Sequence, residues 1–240
     1  MLMDDQDPSR SLPPLLRLDH AVGSGGDPRV RRATDPPLVA TFGLVDWIKA
    51  PDRLLDAVAR VAPATGACAA VVGSLAHVGS AQLEAIANAL GIADRVEFTG
   101  FVDEAQWWRM LRTATVAVQL RCVRNGEASG AIACAQAVGT PVITNAGTAR
   151  DYPADAALQI GQDFRGAELE AALLRVLSDV SEWKRFSLGA LAHAKRCSFP
   201  AVADRLVEFL EHVARPAPGK SRRGSLAPSP KLAAPQPLLN

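Results

Sequence analysis

The chain has 240 residues, 48% of them hydrophobic, and a formal net charge of +1. That length allows one sizeable α/β domain or two small ones, with ample apolar residues for a core. The near-zero charge gives no overall pull toward nucleic acid or an anionic membrane. No apolar run approaches the roughly 18 residues of a membrane-crossing helix, and the start lacks the apolar stretch of a signal peptide.

Residues 1–36 are rich in Pro, Gly, Asp and Arg and read as an irregular arm or remnant linker. Apolar runs then alternate with helical patterns. Leu38–Phe42 reads as a strand closed by Gly43, and Leu54, Val58 and Val61 recur at helical spacing. Cys68–Val72 is the next strand, closed by Gly73, and Leu83, Ile86 and Leu90 mark the next helix. Arg95–Thr99 is a short strand, residues 103–114 a helix, and Thr115–Leu120 a strand. A polar loop, Arg121–Ala128, leads to a small-residue helix over Ser129–Val138. Pro141–Thr144 is a buried strand, and Leu158–Ile160 closes the series. Three helical faces follow: Leu169, Leu173 and Val176; Trp183, Phe186 and Ala190; and Val202, Leu206, Phe209 and Val213. Residues 216–240 form a basic, proline-spaced tail, read as solvated and disordered rather than as a nucleic-acid arm.

Strands separated by single helices imply right-handed βαβ units, and hence a Rossmann-like, doubly wound parallel sheet over residues 37–215 with closing helices. Ligands in such folds bind beyond the carboxyl ends of the strands. The loops to inspect therefore follow Phe42, Val72, Thr99, Leu120 and Thr144.

The loop after Leu120 is chemically the richest. Ser129-Gly130 opens a helix whose first free N–H groups would face the crevice and suit a diphosphate. Gly130 carries no Cβ to hold phosphate oxygens away. The same pair also fits a plain serine N-cap on a buried helix. Arg121, Arg124 and Glu127 lie just upstream. A carboxylate beside a diphosphate is repelled unless it holds hydroxyls or pairs with a cation, so Glu127 fits either a sugar contact or an ion pair with Arg124. Lys49, beyond Gly43, can reach a phosphate as a point charge or stand solvated. Trp107 and Trp108 read as core or domain-facing surface rather than a base-stacking platform.

Other templates are missing. The sequence has no GxxxxGK[ST], no GxGxxG between strand and helix, no GxSxG and no HExxH. Cys68, Cys122, Cys134 and Cys197 form no CxxC pair, which points to a reduced chain without disulfides or zinc. His20, His77, His193 and His212 are dispersed.

Five segments in order resemble the C-terminal domain of group 1 retaining glycosyltransferases of the GT-B fold. They are Phe42-Gly43 with Lys49-Ala-Pro, Val71-Val72-Gly73, the stretch from Ala89 to Val102, Asn125-Gly-Glu-Ala-Ser-Gly with Gly139-Thr-Pro-Val-Ile, and Gly147-Thr-Ala-Arg-Asp-Tyr-Pro. The resemblance covers about Leu38 to Leu210. It implies that Lys49 holds the donor diphosphate, Glu127 contacts the transferred sugar, Ala128, Ser129 and Gly130 cradle the phosphate, and Phe101 and Val102 meet the base. Gly43, Gly73, Arg121, Arg124 and Asn125 would complete the donor site. Lys49 and Glu127 would be its catalytic groups, with no metal or cofactor required and a nucleotide-diphospho-sugar as substrate. The scattered cysteines and the want of a visible signal or spanning segment point to a cytoplasmic location, with peripheral membrane association left open.

Three departures bear on that implication. Leu44 stands where many relatives have arginine. Cys134 (or Ala135) stands where many have a second glutamate for the ribose. The 36 residues before the sheet are too few for the N-terminal domain of a complete GT-B enzyme. A donor half would act only with an acceptor-binding domain or partner chain, and would expose an apolar patch where that partner packs. The alternative is a non-catalytic nucleotide-sugar-binding or interaction module. An NAD-linked Rossmann enzyme would lack its glycine fingerprint here.

Overall fold

The computed structural model describes residues 36–75, 78–123, 129–145 and 152–214. Six strands, β1 (Leu38–Phe42), β2 (Cys68–Val72), β3 (Val96–Gly100), β4 (Val116–Gln119), β5 (Val142–Asn145) and β6 (Leu158–Ile160), form one sheet in the order β3-β2-β1-β4-β5-β6. Every pairing is parallel. The order reverses between β1 and β4, paired at Val39↔Val116 and Ala40↔Ala117. That reversal opens a crevice at the carboxyl ends of these two strands.

The helices α1 (Pro51–Thr65), α2 (Ser80–Ala89), α3 (Glu104–Thr113), α4 (Gly130–Ala137), α5 (Gly166–Ser178), α6 (Val180–Arg196) and α7 (Phe199–Ala214) follow the strands as expected. Pro51 opens α1 at its first position, where no amide hydrogen is needed. Asp103 and Ser129 cap α3 and α4 through their side chains, and Asp179 caps α6. Leu54, Leu55, Val58 and Val61 bury one face of α1 in the same core as Leu169, Leu173 and Val176 of α5. Burying each such side chain contributes about 1.5–3 kcal/mol. On the other face of the sheet, Ile132 and Ala135 of α4 pack with Phe42, Val72 and Ala117. Small residues on α4 let it lie close to the sheet.

Element ends shift by one or two residues from those read in the sequence. Thr115 and Leu120 lie outside β4. Thr115 still joins Leu38, because its amide donates to the Leu38 carbonyl at 2.7 Å and its hydroxyl accepts from Leu38 N–H at 3.0 Å. The indole N–H of Trp183 donates to Thr115 O at 2.8 Å, which anchors α6 beneath β4. By contrast, α7 buries no residue: Phe199, Leu206, Val207, Leu210 and Val213 are all exposed. Among the described residues, no helix is long and apolar enough to cross a membrane.

Candidate ligand-binding site

Three turns at the carboxyl ends of β1, β2 and β3 are made by glycines with positive φ, Gly43 (106°), Gly73 (124°) and Gly100 (64°). They are stitched side by side. Gly43 N–H donates to Val72 O at 2.9 Å, and Gly73 N–H donates to Gly100 O at 3.0 Å. A Cβ on Gly73 would collide with the backbone carbonyl of Gly43. One on Gly43 would lie 2.9 Å from Lys49 Nζ. The glycines therefore form the floor on which the lysine rests.

Lys49 is the last residue of a one-turn 3-10 helix, Trp47–Lys49, whose N-cap is Asp46. Its ammonium donates to Phe42 O at 2.8 Å, which folds the side chain back over the end of β1. Ala50 then takes the left-handed conformation (φ 49°, ψ 52°) and turns the chain into α1. Burial first, then the charge of Arg121, lower the Lys49 pKa to about 8, against a smaller upward pull from Asp46. Two cations thus converge beyond the β1–β4 switch point, and together they suit an anion of two or more charges.

Arg121 leaves the end of β4 under tight restraint. Its N–H donates to Asn145 Oδ1 at 2.9 Å, and its carbonyl accepts from Asn145 Nδ2 at 2.8 Å. The Gln162 amide donates to the carbonyls of Arg121 at 3.1 Å and Cys122 at 3.4 Å. Cys122 N–H in turn donates to Ile48 O at 2.7 Å, so the β4 loop is tied to the β1 loop that carries Lys49. Ser129 caps α4 with its hydroxyl on Ile132 N–H at 3.4 Å, and Gly130 opens that helix. The N-cap reading of Ser129 is therefore correct, and it is compatible with a free first turn at the crevice.

The placements of the sequence-derived candidates are uneven. Gly43, Gly73 and Lys49 pack together at the ends of β1 and β2, and Arg121, whose guanidinium donates to Leu120 O at 3.2 Å, lies near enough for its charge to act on Lys49. Ser129 and Gly130 stand at the head of α4 on the same edge of the sheet. Phe101 follows β3 and is 86% exposed, while Val102 is half-buried and packs against the core cluster that includes Phe42 and Val72. Arg124, Asn125, Glu127 and Ala128 lie outside the described residues, as do Gly147 to Asp151. Leu44 is exposed. Cys134 is half-buried, and burial pushes its thiol pKa up against a hydrogen bond from Trp107. Trp107 itself packs edge-on against Phe42 at 5.4 Å. Asn145 and Gln162 carry no motif, and nothing in the sequence singled them out.

Around this edge Leu44, Trp47, Ile48, Phe101 and Val123 are exposed. The Cys122–Ile48 tie gathers Trp47, Ile48 and Val123 into one apolar rim. Beside it, an open cavity of about 540 Å³ is bounded by Asp52, Arg53, Gln162, Asp163 and Arg165. Among the described residues, no group of three or more metal-ligating side chains comes together.

The model of the family described as Glycosyl transferases group 1 matches residues 36–179. A D-inositol 3-phosphate glycosyltransferase of Thermomonospora curvata is 31% identical over 212 residues, covering 81% of this chain and 48% of the relative. One of the same name from Geodermatophilus obscurus is 32% identical, covering 84% and 47%. The chain spans about half the length of the curated relatives it matches. Among solved structures, Anabaena HepE in complex with UDP and glucose superposes with a TM-score of 0.64 at 19% identity, over 75% of this chain and 49% of that one. The C-terminal domain of the group 1 glycosyl transferase LpcC from Francisella tularensis superposes with a TM-score of 0.61 at 14% identity, over 73% of this chain and 97% of that domain.

Proposed function

The chain belongs to the group 1 glycosyltransferases, and on that premise we propose that it is the donor half of such an enzyme. In this reading it binds a nucleotide-diphospho-sugar and presents a hexose-type sugar for transfer. The observation that carries the reading is the paired cations Lys49 and Arg121 over the glycine floor, at the switch point between β1 and β4. Lys49 and the head of α4 would stabilise the leaving diphosphate electrostatically, without a metal or cofactor. Glu127 would hold sugar hydroxyls, Arg124 and Asn125 would line the same loop, and the backbone of Ala128 to Gly130 would cradle the phosphates. Phe101 and Val102 would meet the base.

The organisation proposed with it is an irregular arm over 1–36, the donor domain over 37–215 and a basic tail over 216–240. One domain closes only one side of a cleft, and transfer requires both substrates in register. The partner is therefore an acceptor-binding domain or chain, corresponding to the half of each relative that this chain does not span. The exposed rim of Leu44, Trp47, Ile48 and Val123 supports that partner, as does the uncovered apolar face of α7. A cytoplasmic location accords with this reading.

A thermal-shift panel with UDP, GDP, ADP, NAD and the matching nucleotide-sugars tests the proposal. A ligand that binds only the folded chain stabilises it by about 2.7 kcal/mol at a hundredfold excess over Kd. A shift with one nucleoside diphosphate and its sugar supports the donor half. A shift with NAD alone would overturn it.

A second reading, a binding module without turnover, is favoured by one observation. Cys134 presents a thiol engaged with Trp107 where a ribose-holding carboxylate is expected. Cys134→Glu would then tighten nucleotide binding without creating transfer, whereas transfer gained by that variant would exclude a module.

A further inference from the structure

We propose that Asn145 and Gln162 are positioning residues that lock Arg121 against the Lys49 loop and so fix the spacing of the two cations. The inference rests on the donor-half reading and deepens it by assigning the residues that preorganise the site.

β4 stops at Gln119 and β5 at Asn145, so the backbone ladder does not reach Arg121. The fully buried Asn145 side chain supplies the missing rung, accepting from Arg121 N–H and donating to its carbonyl. That pair of bonds fixes the amide orientation, because the flipped amide would set N–H against N–H and oxygen against oxygen. Gln162, from the end of β6, adds donated bonds to the Arg121 and Cys122 carbonyls. Asn145 Nδ2 also approaches Gln162 O at 3.4 Å, which links the two braces.

The consequence reaches across the crevice. Held in this way, Cys122 N–H meets Ile48 O at 2.7 Å, one residue before Lys49. The spacing of the two loops is then set by the Asn145 and Gln162 amides, and each cation is held to the adjoining strand end, Arg121 Nη1 donating to Leu120 O at 3.2 Å and Lys49 Nζ to Phe42 O at 2.8 Å. Preorganised cations do not have to be ordered when a diphosphate arrives. Among the described residues, the charged groups that bear on Lys49 are Asp46 on its own loop and Arg121 across the crevice.

The test uses the whole chain with Asn145→Ala and Gln162→Ala. If Asn145→Ala does not fold, Gln162→Ala, which removes a half-buried side chain, still decides the question. Two quantities are read. The first is the pH midpoint of Lys49 in the nucleotide-free protein, from amine-reagent labelling followed by peptide mass spectrometry. The second is the affinity for UDP. The proposal expects the midpoint to rise as Arg121 drifts away and its charge no longer bears on Lys49, with UDP affinity falling about fivefold to tenfold. A protein that merely loses stability would show neither change below its melting temperature. An unchanged midpoint would overturn the brace, and an unchanged UDP affinity would overturn its role in preorganisation. If the midpoint moves but the wild type binds no nucleotide, the donor reading fails while the brace between the loops stands.

Discussion

Gly73 packs its α-carbon directly against the carbonyl of Gly43, leaving no room for a side chain between the ends of β1 and β2. Both residues have positive φ, so the turn requires glycine for conformation as well as for space. Gly73→Ala should therefore lower stability by roughly 2–4 kcal/mol, by combining backbone strain with a clash. Because Gly43 lies under Lys49, nucleotide affinity should fall as well. Urea unfolding and UDP titration of the same variant check both expectations. A near-neutral stability change would mean that the two turns separate freely.

Lys49 makes binding depend on pH. Its pKa in the free chain is about 8. Below that value the ammonium is already charged, and a diphosphate gains the full attraction. Above it, binding must recruit a proton, so affinity should fall up to about tenfold per pH unit until the raised pKa of the complex is reached. Calorimetry of UDP binding from pH 6.5 to 9.5 checks this, and the heat should track the buffer's ionisation enthalpy above pH 8. Affinity that rises through pH 8 would contradict the assignment.

The same lysine destabilises the free fold. The unfolded chain holds the proton with a pKa near 10.5, so the depressed folded value is a cost that is complete below pH 8. The cost is relieved as pH rises from about 8 to 10.5. It is on the order of 3 kcal/mol, offset by about 1–2 kcal/mol from the bond to Phe42 O. Lys49→Met should thus raise the melting temperature at pH 7 by a few degrees, and the gain should vanish near pH 10.5. A variant less stable than wild type at pH 7 would show that the bond to Phe42 O outweighs the burial cost.

Phe101 separates affinity from stability. At 86% exposure it contributes almost nothing to the core, so Phe101→Ser should leave thermal stability within about 0.5 kcal/mol. If the ring stacks on the nucleobase, UDP affinity should fall by about 1–3 kcal/mol, the range for base–aromatic stacking. Unchanged affinity would remove Phe101 from the site.

Much of this fold was legible because apolar runs mark the strands, glycines close the first two, and each βα repeat leaves its own periodicity. The turns at Gly43 and Gly73 and the cap at Ser129 were readable as local chemistry. The one-turn helix Trp47–Lys49 was not, since three residues carry no period. Asn145 and Gln162 were invisible for a different reason. Their partners Arg121 and Cys122 are 24 to 41 residues away, and side chain to backbone bonds between strand ends leave no spacing to recognise. Trp183 likewise read as one apolar position on α6, although its indole N–H anchors the helix to Thr115. The cationic pair itself was half legible. Lys49 and Arg121 were both named, but the tie through Cys122 and Ile48 that brings their loops together depends on the register of the folded sheet.

The most direct test of a diphosphate site at Lys49 and Arg121 is calorimetric titration of UDP into the wild type and Lys49→Ala side by side at pH 7. The account predicts saturable one-to-one binding by the wild type, weakened by about 1.5–3 kcal/mol in the variant, the value of a charge-assisted hydrogen bond. Equal affinity in the two proteins would contradict it.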